Sequence, residues 1–184
     1  MDRLWALSRQ GSNSGRGFHY QDAVATELAV RMWNVQLPIR RIVPEGLDDI
    51  SVELDTHWLH LQAKSRREHR GEFTLADIAP WSHLAERLRA DHTAHVGLVL
   101  ERPLRGATTG FERTLADVVS PQVRAAVSRA VEADVDPNEF MARTHVLVMP
   151  ALEATAVAML SERLNLPPAT CHAHYGRLSG SPRV

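Results

Sequence analysis

Apolar and polar positions along the chain recur with two periods, one helical and one typical of strands. From Phe18 to Trp33 the apolar residues recur at helical spacing, which predicts an amphipathic helix. Residues Ile50–Leu54 and His57–Lys64 alternate with a period of two, which predicts two half-buried strands. Asp55-Thr56 lies between them and is a plausible hairpin turn. The first half of the chain therefore predicts a helix followed by a β-hairpin.

The second half alternates helical patterns with continuous apolar runs. His95–Leu100 and His145–Met149 are apolar throughout, which is typical of strands buried on both faces. Helical patterns run from Thr74 to about Ala90, over residues 111–132 and over Leu152–Leu164. This order predicts an α/β fold in which helices flank a mixed central sheet.

Turn-forming and proline-rich segments divide the chain. Residues 1–16 are predicted to form a flexible lead-in, and residues 17–165 the main domain. Residues 166–184 are predicted to be a C-terminal tail, and a helix could begin near Ala169. This tail could be the start of a further module, so the chain could be a fragment of a larger protein. Arg40–Pro44 is expected to lead into a turn.

Composition excludes several classes of protein. The chain has 184 residues, 44% of them apolar and 23% charged, with a net charge of −1, which predicts one globular domain and not a strongly basic nucleic-acid wrapper. No apolar run approaches the roughly 20 residues of a membrane span, so we expect a soluble cytoplasmic protein with no membrane partner. The one cysteine, Cys171, rules out an internal disulfide.

The histidines do not predict a structural zinc site. Cys171-His172-Ala173-His174 lacks a fourth ligand at a recognisable spacing. His57 and His60 are three positions apart, so on a strand their side chains leave opposite faces.

Lysine is nearly absent from this chain, which has 20 arginines and only Lys64. Lysine offers a compact ammonium group whose pKa can be tuned, whereas arginine does not. Its retention at this position could reflect a chemical role or chance alone.

A hairpin would bring Lys64 close to two other polar side chains. Asp49 comes where the first strand begins, while Gln62 and Lys64 are two apart and share a face of the second strand. A carboxylate and amide or carbonyl oxygens are ligands that Mg²⁺ prefers. Gln62 carries no charge, so Asp48, Glu45 or Glu27 could supply the missing negative charge.

Three blocks in this region resemble a known superfamily. The blocks are Gly17–Asp22, Glu45–Ile50 and Leu61–Ser65. In this order they resemble the PD-(D/E)xK (restriction-endonuclease-like) superfamily in its Asp…Gln-x-Lys variant. They look most like the N-terminal double-stranded-DNA endonuclease domain of bacterial anti-phage effectors. The resemblance implies an αβββαβ core.

The resemblance also implies site residues. Asp49 matches the metal-binding aspartate, Gln62 the second metal-site residue and Lys64 the catalytic lysine. The cofactor would be Mg²⁺ or Mn²⁺, held by Asp49, Gln62 and the Ala63 carbonyl, while Lys64 would position the attacking water or stabilise the transition state. Asp48 is the less certain aspartate, because it lies one residue further from the strand.

A basic loop follows Lys64 directly. Arg66, Arg67 and Arg70 could contact the phosphates of DNA, or they could belong to an ordinary solvated loop.

Together these features predict a metal-dependent endodeoxyribonuclease that cleaves double-stranded DNA in anti-phage defence. The expected partners are double-stranded DNA, a fused or associated sensor or NTPase module, and further copies of the chain. The alternative is a catalytically inactive module of the same fold that binds DNA or a protein.

Overall fold

The computed structural model describes residues 15–44, 49–66, 70–74, 77, 82–105, 109–111, 113–131 and 135–178. Its helices are α1 (Gly15–Trp33), α2 (Ser82–Ala90), α3 (Leu115–Val118), α4 (Pro121–Ala130), α5 (Pro137–Ala142), α6 (Leu152–Leu164) and α7 (Pro168–Leu178). Its strands are β1 (Ile39–Pro44), β2 (Ile50–Leu54), β3 (Trp58–Lys64), β4 (His95–Leu100) and β5 (Thr144–Val148). The predicted α/β class is confirmed, and the elements from α1 to β4 follow the order αβββαβ.

The five strands form one mixed sheet in the order β1-β2-β3-β4-β5. β1, β2 and β3 pair antiparallel, whereas β3, β4 and β5 run parallel. The parallel half needs crossover connections. Helix α2 lies in the connection from β3 to β4, and α3, α4 and α5 lie in the connection from β4 to β5.

Strand β1 was not predicted, because Arg40–Pro44 was expected to lead into a turn. Ile39 is buried, and β1 pairs with β2 as an edge strand. Two consecutive exposed arginines break the apolar alternation that would predict a strand. Arg40 pairs with Asp55 at 2.6 Å, and Arg41 pairs with Glu53 at 2.9 Å. Charged side chains on an exposed edge strand also oppose pairing with other chains.

The sheet has a hydrophobic core on each face. On one face, Val24 and Leu28 of α1 pack with Leu59 and Leu61 of β3 and with strand residues of β2, β4 and β5. On the other face, helices α2 to α5 cover β4 and β5, where Phe140 is fully buried. A smaller cluster joins the end of α1 to α6 and α7 and contains Cys171 and Tyr175. The predicted helix near Ala169 is therefore present as α7.

Helix boundaries follow local capping chemistry. The helical pattern predicted for residues 111–132 is divided at Ser120, which precedes Pro121. Ser120 caps α4 by accepting a hydrogen bond from the backbone of Val123, and Pro121 occupies the first turn, where a missing N–H costs little. Most of the predicted start of the earlier helix, between Thr74 and Pro80, lies outside the described residues.

Candidate functional site

The hairpin brings Asp49 next to the Gln62–Lys64 segment, as its register requires. Ile50 of β2 pairs with Leu61 of β3, so Asp49 lies beside the end of β3. The Asp49 Oδ2 atom accepts a hydrogen bond from the backbone N–H of Ala63 at 2.8 Å. The hairpin thus brings Asp49 beside the Gln62–Lys64 segment, as predicted, and the contact with Ala63 ties the start of β2 to the end of β3.

Gln62 and Lys64 lie on the opposite face of β3 from the buried residues Leu59 and Leu61. Both side chains are half-buried. Burial lowers the pKa of the Lys64 ammonium group, and the negative charge of Asp49 opposes that shift. The charge of Asp49 therefore favours the charged form of Lys64, and burial favours the neutral form.

Other predicted site residues have their own partners. Glu27 is buried in α1, and its Oε1 accepts hydrogen bonds from Nε and Nη2 of Arg31 at 2.8 and 2.6 Å. Arg66 donates to Asp77 at 2.7 Å and lies over the ring of Phe73. Both side chains are therefore engaged within the fold.

The remaining predicted residues are described only in part. Glu45, Asp48 and Arg67 lie outside the described residues, and Arg70 is exposed. A role for Asp49, Gln62, Lys64 or the arginines in binding a ligand stays a prediction, as does a requirement for Mg²⁺ or Mn²⁺.

A cleft of about 530 Å³ opens at the carboxyl ends of the parallel strands. In open α/β sheets this is the edge where ligands usually bind, beyond the ends of the strands. The lining residues come from the start of α1, the residue after β4, the first turns of α6, and α7. They are His19, Tyr20, Ala23, Glu101, Ala151, Leu152, Glu153, Ala154, Val157 and His172.

The cleft has an apolar base and a polar rim. Tyr20 is buried, and its hydroxyl donates to the backbone carbonyl of Met149 at 3.3 Å. Burial raises the pKa of Tyr20, and the charge of Glu101 adds to that shift. At the rim, His172 Nε2 lies 2.7 Å from Glu153 Oε1, and both side chains are exposed.

The sequence analysis did not single out these cleft residues. One signal was available, since Glu101 directly follows the continuous apolar run of β4. A polar residue at that point lies at the carboxyl edge of the sheet once the strands are known to be parallel. The direction of the strands came only from the tertiary structure.

Comparison with known proteins gives a fold and no family. No family model matches the chain, and no curated protein matches it. A solved structure of the Acinetobacter baumannii Cap4 SAVED/CARF-domain containing receptor, with the cyclic trinucleotide 2′3′3′-cAAA, has a similar fold. The TM-score is 0.52 at 16% sequence identity, covering 92% of this chain and 41% of the receptor chain.

Two more structures of that receptor score lower. The one with 3′3′3′-cAAA has a TM-score of 0.48 at 17% identity, covering 89% of this chain and 43% of that chain. The one described without a ligand has a TM-score of 0.48 at 16% identity, with the same coverage. This chain spans less than half the length of the receptor chains that it matches.

These matches correct the assignment to the PD-(D/E)xK superfamily. The structure with the TM-score of 0.52 is described as a SAVED/CARF-domain containing receptor with a cyclic trinucleotide, and not as a nuclease. The expectation of a Mg²⁺-dependent endodeoxyribonuclease is therefore wrong. Neither double-stranded DNA nor self-association has support in these matches.

The local structure gives a physical reason why the motif misled. Asp…Gln-x-Lys needs only a polar residue before one strand and two alternating polar residues on the next, and a half-exposed hairpin often has both. Here Asp49 accepts a backbone hydrogen bond that stabilises the hairpin. Glu27, which could have supplied a second charge, is paired with Arg31.

None of the helices in the described part of the chain is both long and apolar enough to cross a membrane.

Proposed function

We propose that this chain is a ligand-sensing module of a cyclic-oligonucleotide receptor in anti-phage defence. The observation that carries the proposal is the fold shared with the Cap4 SAVED/CARF-domain containing receptor over 92% of this chain. The match spans 41% of the receptor chain. A larger receptor around this module, and the effector that it would control, are therefore proposals as well.

The cleft is the part of this module best suited to a nucleotide. Its volume of about 530 Å³ falls within the range of roughly 300–1,000 Å³ that is usual for small-molecule sites. A cyclic trinucleotide is larger than most such ligands, so we propose that the cleft holds one base with its sugar while the rest of the ring lies outside.

The chemistry of the lining favours a base with an exocyclic amine. Ala23, Leu152 and Val157 supply apolar surface against which a flat ring can pack. Adenine carries an N6 amino group that donates hydrogen bonds, and the Glu101 carboxylate, whose Oε2 accepts from the backbone N–H of Arg66, lines the cleft.

Two substitutions on one helix test the cleft. Ala154 and Ala158 are both exposed on α6, but only Ala154 is a lining residue. The variant Ala154→Trp should fill the cleft, while Ala158→Trp adds the same indole one turn away and serves as the matched control.

Isothermal titration with 2′3′3′-cAAA, beside linear triadenylate, measures the result. We expect saturable binding of the cyclic ligand, weakened at least about tenfold by Ala154→Trp and unchanged by Ala158→Trp. If the folded chain binds no cyclic oligonucleotide, the sensing proposal is wrong. If it binds and both variants bind equally well, sensing stands but the ligand lies outside the cleft.

A further inference from the structure

Three histidines meet at the edge of the sheet opposite the cleft. His57 immediately precedes β3, His95 begins β4, and His145 is the second residue of β5. The three strands are parallel neighbours, so their amino ends lie side by side. Residues separated by up to 88 positions in sequence are thereby brought together.

The distances between these side chains are those of a ligand cluster. One nitrogen from each ring lies within 4.8 Å of the nitrogens chosen from the other two. His95 Nδ1 lies 2.9 Å from His145 Nε2, and the rings of His57 and His95 stack with centroids 4.0 Å apart. Two nitrogens on a tetrahedral zinc ion are about 3.3 Å apart, given zinc–nitrogen bonds of about 2.0–2.1 Å. To reach that geometry, the stacked rings of His57 and His95 would have to turn until their nitrogens converge on one point.

The Nδ1 atoms of His145 and His57 each lie within hydrogen-bonding distance of an oxygen atom. His145 Nδ1 lies 3.2 Å from the carbonyl oxygen of Gly110, and His57 Nδ1 lies 2.8 Å from the Thr56 hydroxyl. A carbonyl oxygen can only accept, so Nδ1 of His145 carries the proton and its Nε2 presents a lone pair. Such outer contacts orient the histidine ligands of metal sites.

One nitrogen of the cluster is buried without a hydrogen bond. Within the described residues, His57 Nε2 has no hydrogen-bond partner. A buried polar atom left without a partner is costly, and a missing ion is one of its common explanations.

We propose that His57, His95 and His145 form a binding site for a zinc-like transition-metal ion. Three imidazoles suit Zn²⁺ and its neighbours in the first transition series and do not suit Mg²⁺. His95 would bind through Nδ1, and the proton now on Nδ1 would move to Nε2 of the same ring. Three protein ligands leave one tetrahedral position for water or another group.

Two charged side chains among the described residues act on the cluster: Asp117 on His145 and Arg143 on His95. Asp117 attracts a cation, and Arg143 repels it.

The test is a Zn²⁺ titration of protein stripped with EDTA, followed by calorimetry. We expect one ion per chain, with affinity reduced at least about tenfold by His57→Gln and by His95→Gln. The matched controls are His92→Gln and His174→Gln, because both residues are exposed and neither belongs to the cluster. The controls should bind as the unsubstituted protein does.

A second measurement does not depend on the folding of the variants. Co²⁺ added to the unsubstituted protein should produce the visible absorption bands of a tetrahedral site, and Zn²⁺ should abolish them. Absence of these bands together with absence of stoichiometric Zn²⁺ binding would overturn the proposal. Unchanged Zn²⁺ affinity in both cluster variants would overturn it as well.

Discussion

Glu27 and Arg31 form an ion pair within α1. Unfolding measurements on variants of this pair test what a buried charge costs when its partner is removed. Glu27 is 1% exposed, and the Arg31 guanidinium binds one of its two carboxylate oxygens. Among the described residues the other oxygen, Oε2, has no hydrogen-bond partner. Replacing Arg31 by alanine therefore leaves a buried carboxylate without its cation.

The two members of the pair should respond unequally to substitution. Removing one partner of a buried pair typically costs about 3–5 kcal/mol in the free energy of unfolding. Because the Arg31 side chain is 31% exposed and partly screened by water, we expect about 2–3 kcal/mol for Arg31→Ala at neutral pH. Glu27→Gln should cost less, about 1 kcal/mol, because no charge then remains buried.

The cost of Arg31→Ala should depend on pH. Burial raises the pKa of Glu27 above its ordinary value of 4.5, while hydrogen bonding to Arg31 opposes that shift. Without Arg31 the pKa of Glu27 in the folded chain rises further. At a pH between the pKa values of Glu27 in the folded and unfolded states, the folded variant therefore binds a proton that the unfolded chain does not. Its stability should therefore increase, relative to the unsubstituted protein, as the pH falls from neutral to about 5.

Urea unfolding at both pH values, followed by circular dichroism, measures these free energies. Arg40→Ala is the matched control, because its pair with Asp55 has exposed partners and should contribute at most about 1 kcal/mol, with no such recovery. The reasoning is refuted if Glu27→Gln costs as much as Arg31→Ala, or if the cost of Arg31→Ala does not fall at lower pH.

Three further predictions concern stability, each measured by urea unfolding. Gly97→Ala should cost about 1–3 kcal/mol, because the added Cβ would lie 2.8 Å from Leu61 Cδ2; no loss would show that the sheet relaxes easily there. Val35→Gly should stabilise the chain by about 1 kcal/mol, since this exposed β-branched residue has a φ of 55°; a loss would show that its side chain contributes contacts. Asp91→Asn should destabilise the chain at neutral pH and matter less as the pH falls below 3.8, because hydrogen bonds from Thr93 lower the pKa of Asp91 and hold its charged form; a pH-independent effect would contradict this.

Much of the fold could be predicted from the pattern of apolar and polar residues within single segments of the chain. The period of two in Ile50–Leu54 and the unbroken apolar run of His95–Leu100 each predicted a strand that is present. Alternation marks a strand with one buried face, because alternate side chains share one environment, whereas an unbroken apolar run marks a strand buried on both faces. Strand β1 escaped the pattern because Arg40 and Arg41 are exposed at the sheet edge, where burial imposes no apolar alternation.

The sequence pattern predicted the function less well than it predicted the fold. The hairpin brings Asp49 beside the Gln62–Lys64 segment, as predicted, yet the family inferred from the three sequence blocks was wrong. A three-residue motif reports the geometry of a hairpin, and many unrelated proteins share that geometry.

Local sequence determined most of the helices, the hairpin and the strands other than β1, because those elements depend on neighbouring residues. Only the tertiary structure decided what lies at the two edges of the parallel sheet. His57, His95 and His145 become neighbours at one edge because three strands run side by side in the same direction. At the other edge Glu101 follows β4, and Tyr20 and Leu152 reach it from helices α1 and α6, which pack on the sheet. Strand direction depends on the crossover connections, and no periodicity within a strand records it.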